Sequence, residues 1–167
     1  MAIKNLQATL TTVRINPVTS PFATCSAAKA YALAGRATLT VVSKATGARF
    51  TYKIEKGKPK KDQRAAPWFV SVLTGPSNTE DYTLLGMIFE EMTEALRFPR
   101  HQRISENAPS ARAFRWAWSQ LQNPSDQIHP SLEVWHEGRC GRCRRPLTTP
   151  ESLITGIGPI CAEKAAA

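Results

Sequence analysis

The amino-acid sequence predicts an α+β fold: an antiparallel sheet of about four strands arranged as two hairpins, with flanking helices and a small cysteine-bearing module at the C-terminus. Three observations carry this expectation. Two β-branched or alternating apolar runs meet at Lys44-Ala-Thr-Gly47, and two more meet at Gly75-Pro-Ser-Asn78, both turn-forming sequences. The strongest helical pattern, ending at Gln122, carries a single apolar stripe of the kind that lies on a sheet. Three of the four cysteines, Cys140, Cys143 and Cys161, fall in the C-terminal segment, and Cys25 stands alone near the start.

Residues 1–23 show no firm period and contain Asn16-Pro17 and Ser20-Pro21, so an irregular lead-in is expected there. The Ala-rich stretch Ser26–Ala34 reads as a helix, stopped by Gly35 in a C-cap position. Arg36–Ser43 is a β-branched strand. After the turn, Ala48–Glu55 alternates, sending Phe50, Tyr52 and Ile54 one way and Thr51, Lys53 and Glu55 the other. A basic loop, Lys56–Pro67, separates this hairpin from the strands Trp68–Thr74 and Tyr82–Phe89. Residues 90–106 are polar and read as a connection. The helix that follows is capped by Asn107 or Ser105, has Pro109 in its first turn, and runs to Gln122 before Asn123-Pro124.

Phe114, Ala117, Trp118 and Leu121 form the stripe of that helix. Trp116 lies about 200° around from Phe114, beside Arg112 and Arg115, where it can stack a base or cover the sheet edge or the cysteine module. A short strand, Leu132–His136, then delivers the chain to the cysteines. The expected organisation is a lead-in (1–23), an α+β domain (24–125) and a metal-binding module (126–167).

The chain has 167 residues, a net charge of +9 and a pI near 9.8, which favour an anionic partner. Hydrophobic residues make up 42% of the chain, enough to argue against wholesale disorder. No apolar run approaches the roughly 18 residues that span a bilayer, and the N-terminus lacks a signal-peptide apolar core. The expectation is a soluble cytoplasmic protein with reduced thiols and no membrane partner. Between 97 and 145 there are nine arginines, no lysines and four acids, whereas lysines cluster at 53–61 and acids at 80–94. Arginine offers a planar fork suited to phosphate; the lysine run reads as a solvated loop.

In Cys140-Gly-Arg-Cys143 a small residue after the first thiolate lets backbone N–H groups turn back towards sulfur. Thr149 is placed to cap a short helix with Pro150 at its first position, and Gly156-Ile-Gly-Pro returns the chain to Cys161. Such a set suits a tetrahedral zinc ion with a structural role, in a zinc-knuckle or treble-clef-like finger. His136 is the expected fourth ligand, with His129, Cys25, Glu163 or water as further candidates. A thioredoxin-type redox pair fits poorly, because Arg144-Arg145-Pro146 follows the pair and a third Cys stands unexplained. A helix-hairpin-helix phosphate site around Gly156–Cys161 is disfavoured because only about six residues lie on either side, too few for two stable helices.

The run His136…Cys140-Gly-Arg-Cys143-Arg-Arg-Pro-Leu-Thr…Pro150-Glu-Ser…Gly156-Ile-Gly-Pro-Ile-Cys161 resembles the C-terminal zinc-finger module of an uncharacterised family of phages, prophages and other mobile elements. That module usually reads CGxCGRxLTxPES…GIGPxC, so Arg144 stands where glycine is common. Phe50-Thr-Tyr-Lys-Ile54, Trp68-Phe-Val-Ser-Val-Leu-Thr-Gly-Pro76 and Asp81-Tyr-Thr-Leu-Leu-Gly86 are similar to the domain that often precedes it. The resemblance covers roughly residues 24–164 and implies zinc and a phage-like setting in a bacterial cell, with no activity attached.

The functional expectation is a zinc-containing accessory protein that binds DNA or RNA. Arg139, Arg142, Arg144 and Arg145 would grip phosphates, Arg112 and Arg115 would extend the surface, and Trp116 or Trp68 would stack bases. A protein-binding phage factor that inhibits or redirects a host complex, such as a defence system, nuclease or polymerase, is the alternative. Outside the cysteine module no spacing nominates a catalytic constellation; His101 in its arginine-rich loop reads as a phosphate contact or a solvated side chain.

Overall fold

The computed structural model describes residues 20–62, 65–89 and 92–167, so most of the expected lead-in lies outside the described residues. Helix α1 (Cys25–Ala32) precedes strands β1 (Arg36–Ser43), β2 (Arg49–Lys56), β3 (Trp68–Leu73), β4 (Tyr82–Phe89) and β5 (Met92–Arg97). Helix α2 (Pro109–Gln120), strand β6 (Leu132–His136) and helices α3 (Pro150–Thr155) and α4 (Pro159–Ala166) follow. Among the described residues the strands form one antiparallel sheet in the order β5-β4-β3-β2-β1-β6.

Six strands replace the four expected, and the two additions have different origins. Strand β5 arises in the stretch read as a polar connection. It is an edge strand, hydrogen-bonded on one side only, and an edge tolerates a polar composition that hides it in sequence. Strand β6 is the lead into the cysteines, and it pairs with β1 from Leu39↔His136 to Ser43↔Leu132. The segment assigned to the metal-binding module therefore begins inside the main sheet.

The hairpin turn at 44–47 forms as expected, with Gly47 at φ 73° and its N–H donating to the Ser43 carbonyl at 2.7 Å. Helix α1 is capped by Thr24, whose Oγ1 accepts from the Ala27 N–H. A second cap comes from far along the chain: the Asp126 carboxylate accepts from the Ser26 N–H at 2.6 Å and from its hydroxyl at 2.9 Å. Helix α2 departs from expectation at both ends. Neither Asn107 nor Ser105 caps it, since Ala108 holds the N-cap position and Ser105 Oγ accepts from the Asn107 N–H instead. Its end tightens, with the Gln122 and Asn123 N–H groups bonded three residues back.

Alternation decides which face of the sheet is covered. Leu39, Val41, Tyr52, Ile54, Val70, Val72, Leu85 and Val134 are all buried, and α1 and α2 lie over them. Phe114, Ala117, Trp118 and Leu121 are buried as the helical stripe requires. Tyr52 meets Phe114 edge-on at 5.0 Å and donates its hydroxyl to the Ser110 carbonyl at 2.7 Å, fastening α2 to β2. Thr40, Thr51, Lys53, Ser71, Glu133 and Trp135 sit on the opposite, uncovered face.

The C-terminal segment is joined to this body through Tyr31, which is fully buried. Its hydroxyl donates to the Thr38 carbonyl at 2.9 Å and accepts from the Thr38 N–H at 3.2 Å. Burial holds its phenol well above the ordinary range. The ring packs against Phe22 and His136, and Gly141 and Gly156 lie directly against it. A Cβ at either glycine would collide with the Tyr31 ring, and Gly156 also has φ 72°. Gly47 shares the left-handed conformation but has open space around it. Replacing Gly47 with Ala should cost about 1–2 kcal/mol, the backbone penalty alone, whereas Gly156→Ala should cost about 2–4 kcal/mol, because overpacking adds to it. Urea unfolding of the two variants measures the difference.

Candidate metal centre

A tight hairpin over residues 138–147 builds the first half of the site. The Leu147 N–H donates to the Gly138 carbonyl at 2.9 Å, and the Cys140 N–H donates to that of Arg145 at 2.9 Å. The turn closes when the Arg144 N–H donates to the Cys140 carbonyl at 3.0 Å, which places Arg144 at φ 68°. Glycine takes this left-handed conformation without strain, so Arg144 holds it at a backbone cost.

The second half is α3, the Gly156–Gly158 turn and α4. Thr149 caps α3 through its Oγ1 and Pro150 occupies the first turn, as the sequence indicates. Cys161 falls in the first turn of α4, a helix that forms although the residue count argued against two helices here. Packing of this loop against Tyr31 supplies what short isolated helices lack.

Cys140, Cys143 and Cys161 bring their sulfur atoms within 4.8 Å of one another, so the three can hold a metal ion. Cys140 is buried, Cys143 exposed and Cys161 in between. The Gly158 N–H donates to Cys140 Sγ at 3.3 Å, tying the two halves together. Burial raises the Cys140 thiol, but N–H groups of Gly158, Cys143 and Arg142 and the Cys143 thiol outweigh it and bring the group down to about 7. Burial, then the neighbouring Cys143 and Cys140 sulfurs, push the Cys161 thiol up to about 11. One sulfur thus carries charge readily and another resists it, a conflict that a bound cation removes.

His136 does not join the three sulfurs. Strand alternation puts it on the covered face with Leu132 and Val134, where it is 4% exposed between Phe22 and Tyr31. Its Nδ1 accepts from the Gly138 N–H at 2.9 Å, so Nε2 carries the proton and donates to the Leu153 carbonyl at 2.6 Å. Both ring nitrogens are committed, and the histidine braces the loop from behind instead of ligating. Cys25, His129 and Glu163 do not complete the set either. Cys25 directs its thiol to the Gln127 and Gln120 carbonyls, His129 accepts from the Ser131 N–H and meets Trp116 edge-on, and Glu163 lies about 200° around α4 from Cys161.

The hairpin amides of a phosphate-binding loop are spent internally here. The Gly156 N–H donates to Ser152 O, that of Ile157 to Thr155 Oγ1 and that of Gly158 to Cys140 Sγ. The loop positions Cys161 and offers no free N–H cradle at those three residues.

The arginines divide into anchored and outward-facing groups. Arg144 pairs with Glu137 and donates to Thr38 Oγ1 at 2.9 Å, so it leans back onto the sheet. There it lines a depression of about 250 Å³ with Arg36, Lys53 and Glu55. Arg36 and Lys53 reach it from the uncovered face of the sheet, with the strand parity of Thr38, Thr40 and Thr51. Arg139 and Arg142 are exposed and donate to the Arg144 and Cys161 carbonyls, and Arg145 is exposed beside the cysteines. On α2, Arg112 is exposed, as is Arg115, which donates to the Glu106 carbonyl, and Trp116 is 36% exposed. Trp68 is closed to stacking: it is 3% exposed, donates Nε1–H to the Leu33 carbonyl, and has Lys56 over its ring.

Residues 132–166 match DUF6011, a family described as one of unknown function. The matched segment covers β6, the hairpin, α3 and α4. No curated protein and no solved structure matches the chain. No helix among the described residues is long and apolar enough to cross a membrane.

Two mutational outcomes test this geometry. Arg144→Gly should be near neutral for stability, since relief of about 1 kcal/mol of left-handed strain offsets the lost Thr38 and Glu137 contacts. Arg144→Ala, which keeps the strain and loses the contacts, should be the less stable of the two by about 1 kcal/mol in urea unfolding. Serine at Cys140, Cys143 or Cys161 should sharply reduce metal retained per chain by elemental analysis, whereas His136→Asn should lower stability and leave that stoichiometry unchanged.

Proposed function

We propose that this chain is a zinc-containing nucleic-acid-binding accessory protein of a phage or other mobile element, in which the metal gives shape to an arginine-bearing loop. The donor set favours zinc. Three thiolates at Zn–S distances of about 2.3 Å sit about 3.8 Å apart around a tetrahedral ion, and sulfurs within 4.8 Å of one another reach that spacing by small side-chain rotations. The zinc ion would draw the two halves of the module together and keep all three sulfurs ionised.

The observation that carries the nucleic-acid reading is the disposition of Arg139, Arg142 and Arg145. All three are exposed on the rim of the sulfur cluster, and the two that donate to backbone carbonyls do so through a single nitrogen, leaving most guanidinium N–H groups facing water. A net charge of +9 supports long-range attraction to a polyanion. Arg144 contributes by position more than by contact, extending the basic band towards Arg36 and Lys53 on the open sheet face.

A second reading, a protein-binding factor acting on a host complex, is favoured by Ile154 and Ile160, 61% and 58% exposed on α3 and α4. A pull-down after nuclease treatment separates the two, because only a protein partner survives it.

Fluorescence anisotropy with labelled single- and double-stranded oligonucleotides across a salt series tests the leading reading. The wild-type chain should bind with affinity that falls steeply as salt rises. Replacing Arg139, Arg142 and Arg145 with Ala should flatten the log–log slope by about 2–3, close to one unit per lost phosphate contact. An unchanged slope would remove these arginines from the interface.

A further inference from the structure

The sulfur cluster opens into a depression of about 230 Å³ lined by Cys140, Cys143 and Cys161 together with Arg145, Leu147, Ile160 and Lys164. Among the described residues no fourth His, Cys, Asp or Glu joins the cluster. The imidazole that the sequence nominates is held away by two hydrogen bonds. Of the residues outside the described structure, 1–19, 63 and 64 contain no His, Cys, Asp or Glu, and Glu90 and Glu91 join β4 to β5, at the edge of the sheet opposite β6. We infer that the chain supplies three metal ligands and leaves the fourth position to a small anionic donor, a thiolate or carboxylate, entering from outside through this depression.

The inference rests on the metal reading above and goes beyond it. A structural zinc site closes with four protein ligands, whereas a three-ligand site keeps one position for an outside group. The space is far larger than the roughly 30 Å³ of a single water, and it accepts a small side chain or organic anion. Charge selects the class. A divalent ion held by three thiolates carries a net charge of minus one, and the Arg145 guanidinium and Lys164 ammonium at the lining reverse that sign. A monoanionic donor brings the assembly to neutrality, while a neutral one leaves it with a net charge of plus one.

The test uses the full chain loaded with Co²⁺, whose visible d–d bands report the ligand set. Elemental analysis comes first, and a chain that retains no metal fails the metal reading itself. With one metal bound, mercaptoacetate and acetate should each shift the spectrum saturably. The Arg145→Ala, Lys164→Ala double variant should weaken both probes by roughly five-fold or more and leave the weaker binding of neutral imidazole unaltered. His136→Asn, chosen to keep a polar partner for the loop, should leave the probe-free spectrum unchanged. A spectrum that no probe alters, or one that His136→Asn changes before any probe is added, would overturn the proposal, because the protein would then be closing the site itself.

Discussion

Everything in the C-terminal third depends on how closely two loops approach one phenol. Tyr31 is fixed from below by a pair of hydrogen bonds to Thr38, so its ring cannot tilt away from what packs on it. Gly141 and Gly156 come against that ring, and the Gly141 N–H donates to the Gly156 carbonyl at 3.0 Å across the contact. The two halves that carry the sulfurs are thereby registered on a rigid surface belonging to the main body. Short helices such as α3 and α4 have little stability of their own, and this docking surface is what makes them persist.

The second organising force is electrostatic, with signs that alternate outward from the sulfurs. Backbone N–H groups stabilise the buried Cys140 thiolate, exposed guanidinium groups ring the loop, and Glu137 takes the one arginine that points inwards. Arg139 and Arg142 each brace a backbone carbonyl of the module through one nitrogen, and with Arg145 they stay exposed. Arg144 differs from them. It accepts a strained backbone and in exchange connects the loop to β1 through Thr38.

Much of the architecture was legible from residue patterns. The turn at 44–47, the alternation of β2, the bounds of β4 and the stripe of α2 all follow from local rules, and so does the Thr149-Pro150 start of α3. What stayed hidden was non-local or required weighing two readings of one residue. Asp126 looks like one acid among many until the fold carries it to the start of α1. His136 invites a metal reading because of its nearness to Cys140. Yet Leu132, Val134 and His136 alternate in phase, and that parity alone assigns the imidazole to the covered face. Helix α4 escaped because the turn that leads into it is supported by Tyr31, more than a hundred residues earlier in the chain.

The place of β6 in the sheet carries a consequence for biogenesis. Strand β1 leaves the ribosome well before β6, the strand that pairs with its outer edge and follows it by four strands and a helix. Throughout that interval a nascent chain presents β1 as a bare β-edge, the feature most prone to pairing with a neighbour. The strand that closes that edge runs directly into the cysteine hairpin, so edge and sulfur cluster draw on one stretch of chain. An ion held by the three sulfurs would therefore bear on how long newly made molecules remain vulnerable to association, quite apart from any role in the finished protein.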